Sequence, residues 1–242
     1  MIGVILAAGM AKRLRPLTDA CPKCLLKIGE RTLLQRTVDA MIAAGINELV
    51  VVTGYRAEMI RDFLTSHYPT LTIHFIHNAD YEHNNNIFSL WMTRPYTEGH
   101  DFLLSDSDIL FDPQIIRAVL DTEGNALALN RHECGEEEIK VIVDHDNRIV
   151  EISKVCSIEQ AIGESVGFEK MTAVYSTALF QELEKMIEGE GLIDVFYERA
   201  FERLIPQGHT FRIVDTTRYF SIELDTVEDF ENAKQLIPED LF

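Results

Sequence analysis

Basic side chains are in the minority: 22 Lys and Arg stand against 40 Asp and Glu, a formal charge of −18. A protein that grips a nucleic-acid backbone needs a basic surface to replace condensed counterions, so DNA and RNA are excluded as partners. Long apolar runs are lacking too. The stretch from Met1 to Ala11 is shorter than the ~20 apolar residues that span a bilayer. Its positive charges follow the apolar run instead of preceding it, which argues against a signal peptide. The expectation is a cytoplasmic protein with no membrane insertion. Cysteine is scarce, with four in 242 residues, at 21, 24, 134 and 156. Cys21-Pro22-Lys23-Cys24 has the spacing of redox and zinc motifs, yet Cys134 and Cys156 form no second close pair and no histidine stands at a ligand-like offset. Free thiols, buried or in loops, are expected. Seven prolines and no Pro, Gly or Ser-rich linker leave the chain uninterrupted.

What is present is an ordinary globular composition, 46% hydrophobic, in a chain long enough to bury roughly 70–75% of its unfolded surface. Ile2 to Leu6 reads as a buried strand feeding the small-residue loop Ala7-Ala8-Gly9. Helix and strand signals then alternate: helices over Thr32–Ala44, Arg56–His67, Asn85–Thr93 and Pro113–Leu120, strands over Glu48–Thr53, Leu71–Ile76 and Asp101–Ser105. That order predicts a Rossmann-like α/β fold, a mixed, mostly parallel sheet with helices on both faces. The second half reads as strands over Ala126–Leu129, Ile139–Val143, Ile149–Ile152 and Val166–Tyr175, then helices over Ser176–Glu188 and Ile193–Leu204. Strands over Thr210–Val214 and Tyr219–Ile222 and a helix over Val227–Leu236 complete the chain, which reads as a single domain over 1–242.

Charge is not evenly spread. Residues 1–31 hold six basic side chains (Lys12, Arg13, Arg15, Lys23, Lys27, Arg31) against Asp19 and Glu30, so this stretch is +4 and the remainder −22. A small positive focus in an acidic molecule suits a compact anion such as a nucleoside triphosphate. Leu6-Ala7-Ala8-Gly9-Met10-Ala11-Lys12-Arg13 follows the first strand, where small residues let backbone amides approach phosphates; Lys23 comes shortly after, in a loop expected to bury little. It is neither a dinucleotide fingerprint nor a Walker loop, because Ala11 and Leu14 stand where G-x-G-x-x-G needs glycine. Asp106-Ser107-Asp108 closes a strand at the edge where such sheets place ligands, and paired carboxylates there suit Mg²⁺ as well as a turn or helix cap. Asp225-Thr226-Val227-Glu228-Asp229 enters the last helix, where Asp225 or Thr226 serves equally as a cap.

Taken together, these segments resemble the nucleotidyltransferase signature L-A-A-G-x-G-x-R-x-x-P-L-T…P-K-x-L of the sugar-phosphate and alcohol-phosphate nucleotidyltransferases. The sequence departs from it at Ala11, where a second glycine is usual, and at Lys12, where Thr or Ser is usual. Asn84-Asn85-Asn86-Ile87-Phe88-Ser89-Leu90, Ile152-Ser153-Lys154 and Gly163-Glu164-Ser165-Val166-Gly167 are similar to the phosphocholine cytidylyltransferase branch. The resemblance implies an enzyme in which Arg13 and Lys23 neutralise the reacting phosphates. It implies that the nucleotide lies on Leu6, Ala7, Ala8, Gly9, Met10, Ala11, Asn84, Asn85, Ser89 and Asp106, and that Mg²⁺ is held by Asp108 and Asp225. Residues 1–125 become the nucleotide-binding half and 126–242 the acceptor-binding elaboration. The implied partners are CTP and a small phosphorylated or phosphonylated acceptor, with a homo-oligomer left open.

The acceptor side rests on Lys154 for a phosphate and on Glu164, Asp194 and Glu223 as acidic walls. A quaternary ammonium prefers an aromatic cage, whereas a primary amine needs carboxylates, so phosphocholine, phosphoethanolamine and 2-aminoethylphosphonate all stay open. Sugar-1-phosphate or inositol-phosphate nucleotidyl transfer is an alternative. A D-x-D glycosyltransferase and a catalytically silent nucleotide-binding regulator are the readings of other classes.

Overall fold

The computed structural model of the chain describes residues 1–136, 138–239 and 241. The strands are β1 (Ile2–Ala7), β2 (Lys27–Ile28), β3 (Arg31–Thr32), β4 (Glu48–Thr53), β5 (Thr72–His77), β6 (Phe102–Asp106) and β7 (Ile109–Phe111). They continue as β8 (Ala126–Asn130), β9 (Lys140–Val143), β10 (Ile149–Ser153), β11 (Gly163–Met171), β12 (Arg212–Asp215) and β13 (Ser221–Glu223). The helices are α1 (Leu33–Ala43), α2 (Ala57–His67), α3 (Asn86–Met92), α4 (Arg94–Thr97), α5 (Gln114–Asp121), α6 (Ala173–Glu184), α7 (Glu198–Leu204) and α8 (Val227–Leu236). The main sheet runs β10-β9-β11-β6-β1-β4-β5, with β8 pairing to β11 and β12 to β8. Pairing is parallel through β6-β1-β4-β5 and antiparallel where β11 meets β6, β8 and β9. The Rossmann-like mixed fold expected from the sequence is the one adopted.

Strand periodicity decides which helix goes where. On β1, Val4 and Leu6 face one side with Val50 and Val52 of β4, against α3, α6 and α7. Ile5, Leu49 and Val51 face the other, against α1, α2 and α5. Both faces are covered, so these strands read as continuous apolar runs. A third cluster packs Leu14, Ile28, Leu33, Leu110, Leu224 and Phe230 beneath the N-terminal loop and α8. No helix among the described residues is long and apolar enough to cross a membrane.

Three departures from the sequence expectation bear on function. The strand expected over Val166–Tyr175 ends at Met171, because Thr172 caps α6, whose first residue is Ala173 and whose end widens into a π-turn over Lys185–Gly189. The helix expected from Ile193 starts only at Glu198. Asn85 N donates to Ile193 O (2.9 Å) and Tyr197 N donates to Asn86 Oδ1 (2.9 Å), so backbone groups that a helix would use are committed to the asparagine segment. Third, the ribbon β7/β13 was not foreseen as a pair. Its register sets Glu223 against Ile109, and Leu224 N donates to Asp108 O (3.1 Å), which carries the late acidic segment to the end of β6.

Candidate active site

The carboxyl ends of β1 and β6 open into a cleft of about 980 Å³, floored by the loop after β1, walled by the asparagine segment on one side and by β11, Lys154 and β13 on the other. Leu6, Ala7, Ala8, Gly9, Ala11, Arg13, Lys23, Asn84, Asn85, Ser89, Asp106, Asp108, Lys154, Glu164, Glu223 and Asp225 all line it. Two expected residues do not. Met10 is in the loop but lines no part of the cleft, and Asp194 is an exposed residue of the irregular segment ahead of α7. The same asparagine contacts that delay α7 turn Phe196 and Glu198 into the cleft instead.

The loop after β1 turns through Ala11, whose φ of 47° and ψ of 54° are left-handed. This is the position at which the resembled signature carries glycine, and a methyl group there costs ~1–2 kcal/mol of backbone strain. Thr18 Oγ1 donates to Ala11 O (3.0 Å) and Leu14 N donates to the same carbonyl (3.0 Å), which holds the turn shut. Ala11→Gly is expected to raise stability by about 1 kcal/mol in urea unfolding, and a loss of stability would mean that the methyl is packed rather than strained.

At the centre of the cleft Lys23 Nζ donates to Asp108 Oδ2 and to Asp225 Oδ1, each at 2.9 Å, and Arg13 Nη2 donates to Asp225 Oδ2 at 2.5 Å. Lys23 is 8% exposed, not the side chain of an open loop that the sequence suggests. Burial pulls its pKa down, but the two carboxylates outweigh burial and the ammonium is held above its ordinary value. Burial alone would raise Asp225; Lys23 and Arg13 reverse that and hold its carboxyl below the ordinary range. Asp225 does not cap α8. Thr226 does, accepting from Asp229 N (3.1 Å) while Asp229 Oδ2 accepts from Thr226 N (2.7 Å), a complete capping box that leaves the Asp225 side chain to the cleft.

Asp108, Glu223 and Asp225 each offer a carboxylate oxygen within 4.8 Å of the others. An all-oxygen anionic set of this kind fits Mg²⁺, and Lys23 bonded across two of its members shows the cluster already engaging a cation. Glu223 is pushed to about 7 by burial and by Asp108 and Asp225, repulsion that a cation would relieve. Asp106 stands apart from this set. Tyr197 Oη donates to Asp106 Oδ2 (3.0 Å), and burial, then Asp108 and other acids, push its pKa well up. Among the described residues Asp106 belongs to no group of three donors with Asp108.

The asparagine wall is a connected network. Asn78 Nδ2 donates to Asn84 Oδ1 (2.8 Å) and to Ser89 Oγ (3.1 Å), Asn84 Nδ2 donates back to Asn78 Oδ1 (3.2 Å), and Asn85 is the N-cap of α3. Asn78, almost fully buried, gave no motif signal because it lies at the end of an ordinary edge strand. Glu198 and His132 were equally silent; only the fold brings them here. On the opposite wall, Lys154 Nζ sits 4.6 Å from the Phe196 ring centroid, and Glu164 is raised to about 8 by burial and by Glu138 and Glu223. Gly167, with φ 80°, lies against Asp106, where a Cβ would come within 3.0 Å of Asp106 Oδ2. The four thiols are free; burial pushes both Cys21 and Cys24 up, so neither is a ready thiolate and the redox reading of that pair has no support.

Behind the cleft, Glu169 is fully buried, accepts from Ser165 Oγ (3.1 Å), and leaves Oε2 without a partner. Burial, then Glu198, push it to about 8. The folded chain thus holds a proton that the unfolded chain has lost between about pH 4.5 and 8, so this group's contribution falls as pH rises through that window. Glu169→Gln is expected to flatten the decline in unfolding free energy between pH 5.5 and 8 and to stabilise the protein at pH 8 by ~1 kcal/mol or more. A variant with the wild-type slope would mean that Glu169 ionises at little cost.

Residues 3–204 match the MobA-like NTP transferase domain family. The chain belongs to that family. Its matched domain is of the nucleotidyltransferase type. Among its relatives, the CMP-5′-(3-aminopropyl)phosphonate synthase of Streptomyces rubellomurinus is 26% identical over 95% of this chain, and the chain spans only 38% of that relative's length. The choline-phosphate cytidylyltransferase of Streptococcus pneumoniae is 25% identical over 98% of both chains. The solved structure of the CTP:phosphocholine cytidylyltransferase from the same species superposes with a TM-score of 0.83 at 19% identity, over 98% of this chain and 99% of the other, and so shares the fold.

Proposed function

We propose that the transferase moves CMP from CTP onto a small phosphorylated or phosphonylated amine or alcohol, releasing pyrophosphate. The observation that carries this reading is the cluster of Lys23, Arg13, Asp108 and Asp225 at the ends of β1 and β6, facing Lys154 and an acidic wall across one cleft. An oxygen of the acceptor's phosphate or phosphonate attacks the α-phosphorus, the bond to the bridging oxygen breaks, and the electron pair leaves on pyrophosphate. That oxygen is already anionic, so no general base is required. Residues 1–125 hold the nucleotide: Ala7, Ala8, Gly9 and Ala11 approach the phosphates through backbone amides, Asn84, Asn85 and Ser89 present polar edges to the base and sugar, and Asp106 anchors Tyr197. Lys23 and Arg13 neutralise charge that grows on the leaving group, which is transition-state stabilisation by preorganised charge.

Asp108 and Asp225 would hold Mg²⁺, with Glu223 beside them, and the ion would supply neutralisation of the phosphate oxygens. Residues 126–242 supply the acceptor pocket: Lys154 meets its phosphate or phosphonate, and Glu164 and Glu223 favour a positively charged tail over a neutral sugar ring. The relatives named above act on amine-bearing phosphonate and phosphocholine, which supports an acceptor of that class. The test is a pyrophosphate-release panel of four nucleoside triphosphates against phosphocholine, phosphoethanolamine, 2-aminoethylphosphonate, inositol phosphate and hexose 1-phosphates. CTP with an amine-bearing acceptor is expected to lead by tenfold or more. Better turnover of UTP or dTTP with a hexose 1-phosphate would place the enzyme in sugar activation.

A further inference from the structure

A second group of donors lies at the rim of the same cleft and shares no residue with the first. Nε2 of His132, Sγ of Cys134 and a carboxylate oxygen of Glu138 lie within 4.8 Å of one another. His132 Nε2 is 3.1 Å from Glu138 Oε2 and 3.8 Å from Glu164 Oε2, so a fourth donor borders the group. The sequence expectation that no histidine stands within ligating reach of a cysteine fails here, at a spacing of two residues. We infer that His132, Cys134 and Glu138, with Glu164 as the neighbouring donor, form a binding site for a divalent transition metal of the zinc class.

Two features support this. The donors are one imidazole, one thiolate and one or two carboxylates, the mixed set that zinc takes in tetrahedral sites and that magnesium does not. The loop carrying them is built: Lys140, 1% exposed, donates to the carbonyls of Gly135 (3.0 Å), Glu136 (3.0 Å) and Glu138 (3.3 Å). Gly135 N donates to Glu138 Oε2 (2.8 Å), which fixes that carboxylate before any ion arrives. Binding replaces the thiol proton with the metal and releases that proton to solvent. His132, Glu138 and Glu164 line the cleft, so on the proposed function a filled site withdraws part of the acidic wall that faces the acceptor.

The test is a titration of the chelator-stripped full-length protein with Co²⁺, read by absorption so that turnover plays no part. One Co²⁺ per chain is expected, with a thiolate charge-transfer band and the intense visible bands of a tetrahedral site. Zn²⁺ should displace it and excess Mg²⁺ should not. Cys134→Ser is expected to abolish the charge-transfer band, and His132→Ala, at an exposed position, to weaken binding by about 100-fold or more, since loss of even an outer partner of a metal ligand costs ~10–100-fold. The double change Cys21→Ser, Cys24→Ser should leave the spectrum intact. Absence of a thiolate band in the native protein, a band that survives Cys134→Ser, unchanged affinity in His132→Ala, or loss of the band with Cys21 and Cys24 would each overturn the assignment. None of these outcomes bears on the nucleotide or the acceptor, which the pyrophosphate panel tests separately.

Discussion

Replacing Lys23 with alanine is expected to lower turnover by about 100-fold or more, the loss that follows removal of one preorganised electrostatic donor. The lysine bridges two acids at 2.9 Å each and is 8% exposed, so its charge acts where water screens little. On the proposed function it acts on charge that grows in the transition state, so the loss should fall on kcat more than on KM. The same geometry makes the lysine structural in the metal-free protein. Its removal leaves Asp108 and Asp225 facing one another, and breaking a buried pair costs ~3–5 kcal/mol. The two acids keep 26% and 32% of their side-chain exposure, so solvent reduces that cost, and the expected drop in Tm is moderate. Mg²⁺ should restore much of it, since an ion on the same carboxylates replaces the missing ammonium. Pyrophosphate release by the folded variant at saturating CTP and acceptor is the measurement; turnover within a few fold of wild type would make Lys23 a structural residue only.

Much of this arrangement was legible in the chain itself. The apolar runs of β1, β4 and β6 and the helix signals between them gave the parallel half of the sheet, because strands buried on both faces read as short continuous apolar runs and the amphipathic helices between them carry a 3.6-residue period. Lys23, Asp108 and Asp225 were legible through motif resemblance, and each stands in the cleft. What escaped depends on contacts between distant segments. The three-residue strand β7 is too short to carry a period, so its pairing with β13, which delivers Asp225 to Asp108, left no local trace. Asp194 misled because the apolar spacing from Ile193 onward is helical, whereas Asn85 and Asn86 take up that backbone and leave Asp194 outside the cleft. Glu198 then points inward in its place, buried and raised to about 7 by desolvation. Nor does spacing reveal that a lysine expected in an open loop lies between two acids 85 and 202 residues away.

Asp108 and Asp225 carry the other large effect. Asn keeps the size of either side chain and removes a hard anionic ligand, so each single change is expected to cost metal affinity and turnover together, by about 100-fold or more in turnover. Stability should respond differently. Lys23 keeps one carboxylate partner in either variant, and the capping box of Thr226 and Asp229 holds α8 without Asp225, so Tm in the absence of metal should stay within a few degrees of wild type. The most direct measurement is the Mg²⁺ dependence of pyrophosphate release in wild type, Asp108→Asn, Asp225→Asn and the double variant. Two acids acting through one ion behave as a unit, so the double change should cost clearly less than the product of the two single losses, with the Mg²⁺ requirement shifted upward in both singles. Fully multiplicative losses, or an Asp225→Asn variant with an unaltered Mg²⁺ requirement, would contradict a shared site.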